Sequence, residues 1–182
     1  MNKSGCPNRA AFTLLEVMTV VMIVAILAVL AIPLYSKLRD RAQRAQCTAN
    51  LRSLHVAVNL YTQQHNRWPP VRLTGDDEAA WQKYAEDWIR ELEPFGVERK
   101  TWICPTIQNK EQNPDYTKNV RSDYMAMPFD DKPGTPHQWP NMPWFAERGD
   151  VHGNGNLMIF ADGSVSDLKT IAGKASPASL PK

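Results

Sequence analysis

No excess of charge marks this chain as a partner for polyanions, since 21 Lys and Arg stand against 19 Asp and Glu, a net of +2 over 182 residues. The spacings that announce catalysis are missing too. His55, His65, His137 and His152 fall in no H-E-x-x-H or comparable metal pattern, G-x-S-x-G does not occur, and Cys47 and Cys104 are no C-x-x-C pair. A phosphate-cradling loop is lacking, because Gly153 and Gly155 precede a β-prone segment rather than a helix. These absences argue against an enzyme. Full disorder is excluded by 43% hydrophobic residues with 6 Trp, 5 Tyr and 5 Phe, while 14 prolines imply many turns. The length suits one domain with a short appendage.

What is present is unevenly spread. Through His65 there are 7 basic and 2 acidic residues; from Asn66 onward there are 14 and 17, so the later part carries −3. Val17 to Tyr35 is a run of 19 residues without a charge, and extended back to Phe12 it reaches 24, with Glu16 its one charge. As a helix that is roughly 36 Å, more than the roughly 30 Å hydrocarbon core of a bilayer. Met1 to Ala11, with Lys3 and Arg9 and no acid, resembles the n-region of a secretory signal, but the apolar run is too long and holds no A-x-A site. On the residues alone the segment fits a signal anchor with Glu16 near the interface. Lys37, Arg39, Arg41 and Arg44 follow the run as closely as Lys3 and Arg9 precede it, so charge leaves its orientation open.

Beyond Pro33 the pattern turns amphipathic. Cys47, Leu51, Leu54, Val58 and Tyr61 recur at helical spacing, with Arg44, Arg52, Asn59 and Gln63 between them. Span and stripe together predict one long helix, bent at Pro33 by its missing hydrogen bond and ending before Trp68-Pro69-Pro70. A second helix is expected from about Asp76 to Leu92, opened by Thr74 and stopped by Pro94 and Gly96. Thr101 to Met142, with β-prone pieces at Thr101–Cys104 and Asp123–Met127 among Pro, Asn and Asp, reads as loop with one or two edge strands. Asn156–Ala161 and Ser164–Leu168 flank Asp162-Gly163, the dipeptide of a two-residue type I′ hairpin turn. With Val151-His152 leading in, they predict a three-stranded meander. Gln138 to Phe145, rich in aromatics and proline, is expected to cover a core rather than form a contact surface, and residues 171–182 to form a flexible tail.

Ala11-Phe12-Thr13-Leu14-Leu15-Glu16, the basic leader before it, the apolar run and Pro33 resemble the processing site of type IV pilins and type II secretion pseudopilins. The resemblance implies an α+β, pilin-like fold: leader 1–11, membrane and filament-core helix 12–35, amphipathic half-helix 36–65, periplasmic head 66–170 and tail 171–182. It implies that a prepilin peptidase cuts between Ala11 and Phe12 and methylates the Phe12 amine, although Ala11 stands where the family usually has Gly. It makes Thr13, Glu16 and Pro33 assembly residues, with Glu16 meeting the amine of an incoming subunit. Implied partners are further copies, other pilin-like subunits and an inner-membrane assembly platform. The expected function is a filament subunit of a type II secretion pseudopilus; a type IV pilus subunit for adhesion, motility or DNA uptake, or a signal-anchored periplasmic protein that assembles nothing, are the alternatives. The head's −3 charge counts against nucleic acid.

Farther on, His152 followed by Asp162-Gly163, with Cys104-Pro105-Thr106, resembles a pilin subgroup with a His, nine residues, then Asp-Gly. Both motif ends are expected to hold structure. Cleavage would remove Cys6 and leave Cys47 and Cys104 in an oxidising compartment, as a bridge or as two buried thiols. No cofactor is expected, although the family's calcium sites make Asp123, Asp130, Asp131, Asp150 and Asp162 candidate ligands; they lack the spacing of a calcium loop and read first as solvated turn residues.

Overall fold

The computed structural model describes residues 13–111, 120–130, 132 and 134–174; the side chains at 30, 31, 33, 34, 111 and 174 lie outside that description. Its long helix, α1, spans Leu14–His65 and so continues through position 33. The start is capped by Thr13, whose Oγ1 accepts the Glu16 N–H at 3.3 Å. From Leu14 to Val29 the large apolar side chains of α1 are exposed all round. Among the described residues no helix is long and apolar enough to cross a membrane. The uncharged run of the sequence includes positions 30, 31, 33 and 34, so the described side chains cover only part of it. The chain divides into two compact units between Arg39 and Asp40.

In the second unit the stripe of α1 is buried as its spacing requires: Cys47, Leu51, Leu54 and Val58 are fully enclosed and Tyr61 nearly so. After His65, Asn66 takes φ 54, among the described residues the one non-glycine position in the left-handed region. It turns the chain so that Trp68 enters the core, where its ring meets Phe129 at 4.8 Å, Trp144 at 5.4 Å and Trp88 at 6.1 Å. Helix α2, Glu78–Leu92, buries Tyr84, Ala85, Trp88, Ile89 and Leu92. Its cap is Asp77, which accepts the Ala80 N–H, rather than the expected Thr74. A short 3-10 turn, Glu93–Phe95, follows and Gly96 closes it at φ 86.

The sheet has four antiparallel strands in sequence order: β1 Tyr124–Ala126, β2 Phe145–Glu147, β3 Leu157–Ile159 and β4 Val165–Asp167. Three short helices complete the head: α3 Pro105–Glu111, α4 Thr135–Gln138 and α5 Leu168–Lys174. The architecture is α+β and pilin-like, one long helix with an antiparallel sheet.

Several local expectations are corrected. Thr101–Cys104 is not a strand: Arg99–Trp102 is a 3-10 turn, whose Trp102 carbonyl accepts the Asp123 N–H at 2.9 Å and so meets a loop, not a ladder. Val151-His152 is no strand either. The partner of β3 is β2, because Phe145 pairs with Ile159 and both fill the core. The stretch Gln138–Phe145 therefore divides, with Trp144 and Phe145 buried and Trp139 and Met142 exposed. Residues 168–174 are helical, so the expected tail does not begin at Ile171.

The hairpin between β3 and β4 exists, but its turn is not type I′. Asp162 has no positive φ; only Gly163 does, at 77. The Phe160 N–H donates to the Ser164 carbonyl at 3.0 Å and the Gly163 N–H to the Phe160 carbonyl at 2.9 Å, which makes a three-residue loop closed by a left-handed glycine. An added Cβ here would reach the His55 ring of α1 at 3.4 Å, within ordinary contact distance, so the strain of a substitution comes from the positive φ. His55 in turn stacks on Trp144 at 4.8 Å and bonds the Ala161 carbonyl through Nε2 at 3.0 Å. Gly163→Val is accordingly predicted to destabilise the fold by more than about 1 kcal/mol. Thermal melts of the full chain in detergent check it, and an unchanged midpoint rules the turn assignment out.

Asp167 closes the other end of β4. Its Oδ1 accepts the Thr170 N–H at 2.8 Å, capping α5, and its Oδ2 meets Arg44 of α1 at 2.6 Å. The Thr170 bonds first, and Arg44 next, hold this carboxyl at about 2, below the usual carboxylate range. A depressed carboxyl stabilises fully above its unfolded value of about 3.9, and that contribution fades as pH falls through about 2. The melting-point gap between the parent and Asp167→Asn is predicted to be constant above about pH 5 and to close towards pH 2. A gap independent of pH would contradict the assignment.

Candidate functional site

Two places carry chemistry, one in each unit. At the start of α1, Thr13-Leu14-Leu15-Glu16 has the S/T-x-x-E spacing of a capping box, and Thr13 Oγ1 takes the Glu16 N–H. The Glu16 carbonyl accepts the Thr19 hydroxyl at 2.9 Å. Glu16 is exposed in the first turn, where a helix N-terminus favours an anion. The described residues therefore put a carboxylate at the head of a helix whose following side chains are almost wholly apolar. Ala11 and Phe12, the expected cleavage and methylation positions, lie outside the described residues.

In the second unit a buried cluster forms that no sequence spacing announced. Cys47 of α1, Cys104 ahead of α3, Glu147 at the end of β2 and His152 in the following loop bring their ligand-type atoms within 4.8 Å of one another. Sγ of Cys47 is 2.7 Å from Sγ of Cys104, and both are free cysteines. His152 Nε2 faces Glu147 Oε1 at 3.3 Å. Glu147 is 1% exposed, and its Oε2 makes no hydrogen bond. Contact with Cys47, then burial, then Glu147 hold the Cys104 thiol protonated, against the opposing pull of His152. His152 is pushed up to about 9, first by Cys104 and then by Glu147, with burial opposing.

Backbone and side-chain bonds fix the four groups. The Cys104 N–H donates to Asp123 Oδ2 at 2.8 Å, Asn156 Nδ2 to the Glu147 carbonyl at 2.8 Å, and the Gly153 N–H to Asp150 Oδ1 at 2.8 Å beside His152. Two of the expected calcium ligands are thus occupied in shaping this cluster. Asp130 accepts the Lys132 N–H at 3.2 Å and Asp162 the Ser164 N–H at 2.9 Å, and Asp131 lies outside the described residues. Among the described residues these aspartates join no group of three metal-type ligands. The two ends of the His152 to Asp162-Gly163 motif serve different places, His152 the cysteine cluster and Gly163 the contact with His55.

Glu147 is the member that sequence reading missed. Its signal was weak: a single acid in a three-residue strand, all of it buried.

Residues 6–32 match the family described as the prokaryotic N-terminal methylation motif. The chain carries a prepilin-type N-terminus. The match covers residues 6–11 of the expected leader, Thr13, Glu16 and the first turns of α1, and it stops before the head. No curated protein and no solved structure matches the chain.

Proposed function

We propose that this chain is a membrane-anchored structural subunit whose N-terminal half-helices bundle into an inner-membrane-anchored periplasmic filament, a type II secretion pseudopilus. One observation carries the reading: from Leu14 to Val29 α1 is apolar and exposed on every side, headed by Thr13 and Glu16 inside the matched methylation motif. A helix apolar all round needs lipid or other helices against it. In this reading a prepilin peptidase removes Met1 to Ala11 and methylates Phe12, the span holds the chain in the inner membrane with its head in the periplasm, and Pro33 bends α1. Addition to the filament moves the apolar half from lipid into a bundle of identical and related half-helices above the assembly platform. Glu16 then receives the Phe12 amine of the incoming copy. The His152 and Asp162-Gly163 signature builds the head and takes no part in catalysis.

Deletion of the gene tests this. Loss of secreted proteins from the medium, with no surface fibres in the parent to lose, supports the pseudopilus. Disappearance of long surface fibres with secretion intact would make the chain a type IV pilus subunit instead.

A further inference from the structure

We infer that Cys47, Cys104, Glu147 and His152 form a structural zinc site that fastens the sheet and loops of the head to α1. The four donors come from three stretches of chain, Cys47, Cys104 and the Glu147–His152 stretch, which tertiary folding brings together, and their ligand atoms all lie within 4.8 Å of one another. Two thiolates, an imidazole and a carboxylate are a donor set that zinc takes in tetrahedral, closed sites. Calcium prefers oxygen throughout, and copper(I) has little use for a carboxylate.

The orphaned oxygen of Glu147 is the second, independent observation. A carboxylate 1% exposed is costly unless both oxygens are satisfied, and Oε2 has no hydrogen bond. His152 meets Oε1, at 3.3 Å. A divalent cation between the four groups satisfies the carboxylate and the sulfurs together. The geometry is close to what that cation needs. With zinc–oxygen and zinc–nitrogen bonds of about 2.1 Å, a tetrahedral edge is about 3.4 Å, close to the 3.3 Å from Glu147 Oε1 to His152 Nε2. The sulfur edge is the one that must open, from 2.7 Å to about 3.8 Å, the tetrahedral edge for zinc–sulfur bonds of about 2.3 Å. Binding releases the two thiol protons and the proton held between His152 and Glu147 to solvent. Nothing is oxidised or reduced.

The supporting groups suit the role. Asp123 fixes the Cys104 backbone, Asn156 the Glu147 carbonyl and Asp150 the turn beside His152, and such outer bonds set ligand orientation. With every donor buried or nearly so, no coordination position opens to a substrate, which makes the site structural. A disulfide between the cysteines would use two of the four groups, require an oxidant to accept two electrons, and leave Glu147 and His152 as a buried pair.

The test is made on the full chain purified in detergent. Elemental analysis is expected to give one zinc per chain that survives dialysis, with Cys47 and Cys104 protected from alkylation until a strong chelator removes the metal. Cobalt(II) in its place is expected to give thiolate-to-metal charge-transfer bands. Glu147→Gln keeps the shape of the side chain, and it is expected to weaken zinc binding by more than the roughly 10- to 100-fold that outer-shell changes cost, with circular dichroism unchanged. A chain without zinc after incubation with the metal, whose non-reduced mass shows Cys47 joined to Cys104, overturns the site. So does a folded Glu147→Gln chain that binds zinc as tightly as the parent.

Discussion

Filament yield from a Glu16→Ala strain is expected to collapse, while the variant chain still inserts in the membrane. Glu16 sits in the first turn of α1, ahead of apolar side chains that nothing in its own unit covers. A charge at membrane depth costs about 2.5 to 3.5 kcal/mol, so a carboxylate there needs a partner, and in the proposed assembly the Phe12 amine that cleavage would create is one. Alanine leaves the incoming amine without its counter-charge. That shifts the equilibrium for adding each subunit by roughly a hundredfold. A second variant separates charge from helix capping. Thr13-x-x-Gln is still a capping box, so Glu16→Gln restores assembly if the residue only starts the helix and stays defective if its charge is what counts. Quantitative immunoblotting of sheared filaments against membrane-bound subunit reads both, and normal filament yield from Glu16→Ala defeats the pairing.

The largest expected loss of stability comes from Trp68→Ala. The indole is fully buried and lies at ring-centroid distances of 4.8 to 6.3 Å from Phe129, Trp144, Trp88 and Phe145. Those partners come from α2, the loop after β1, and β2 with the residue before it, so Trp68 joins most of the head's elements. Buried Trp→Ala substitutions cost about 3 to 5 kcal/mol, because the cavity closes only in part. For a head of this size that is roughly 10 to 15 °C in melting midpoint. Trp139, exposed at 57%, is the internal control and should change the midpoint little when replaced by alanine. Equal effects at the two positions would mean that the aromatic core is wrongly placed.

The parts of the fold that one period of hydrophobicity determines were legible in the sequence. The stripe from Cys47 to Tyr61 faces the core, α1 ends at His65 ahead of Trp68-Pro69-Pro70, and Pro94 with Gly96 stops the second helix. What the local text misled about was decided by distant partners. Thr101–Cys104 is β-prone, yet among the described residues no strand pairs with it, and its first half coils into the 3-10 turn Arg99–Trp102. Phe145–Glu147 hides behind prolines and becomes a central strand because Ile159 and Ala126 pair with Phe145. Asp-Gly fits two hairpin loops, and the register Ile159 with Val165 selects the longer one. The cysteine cluster shows the same limit more sharply. Cys47, Cys104 and His152 each stood out in the sequence, but Glu147 joins them only through the pairing of β2.

The central claim, a prepilin-type subunit processed for assembly, is tested most directly by intact-mass measurement of protein extracted from membranes of cells with an active prepilin peptidase. The expected mass is that of the chain lacking Met1 to Ala11, with one added methyl group on Phe12. A chain that keeps Met1 to Ala11 in those cells would contradict the claim.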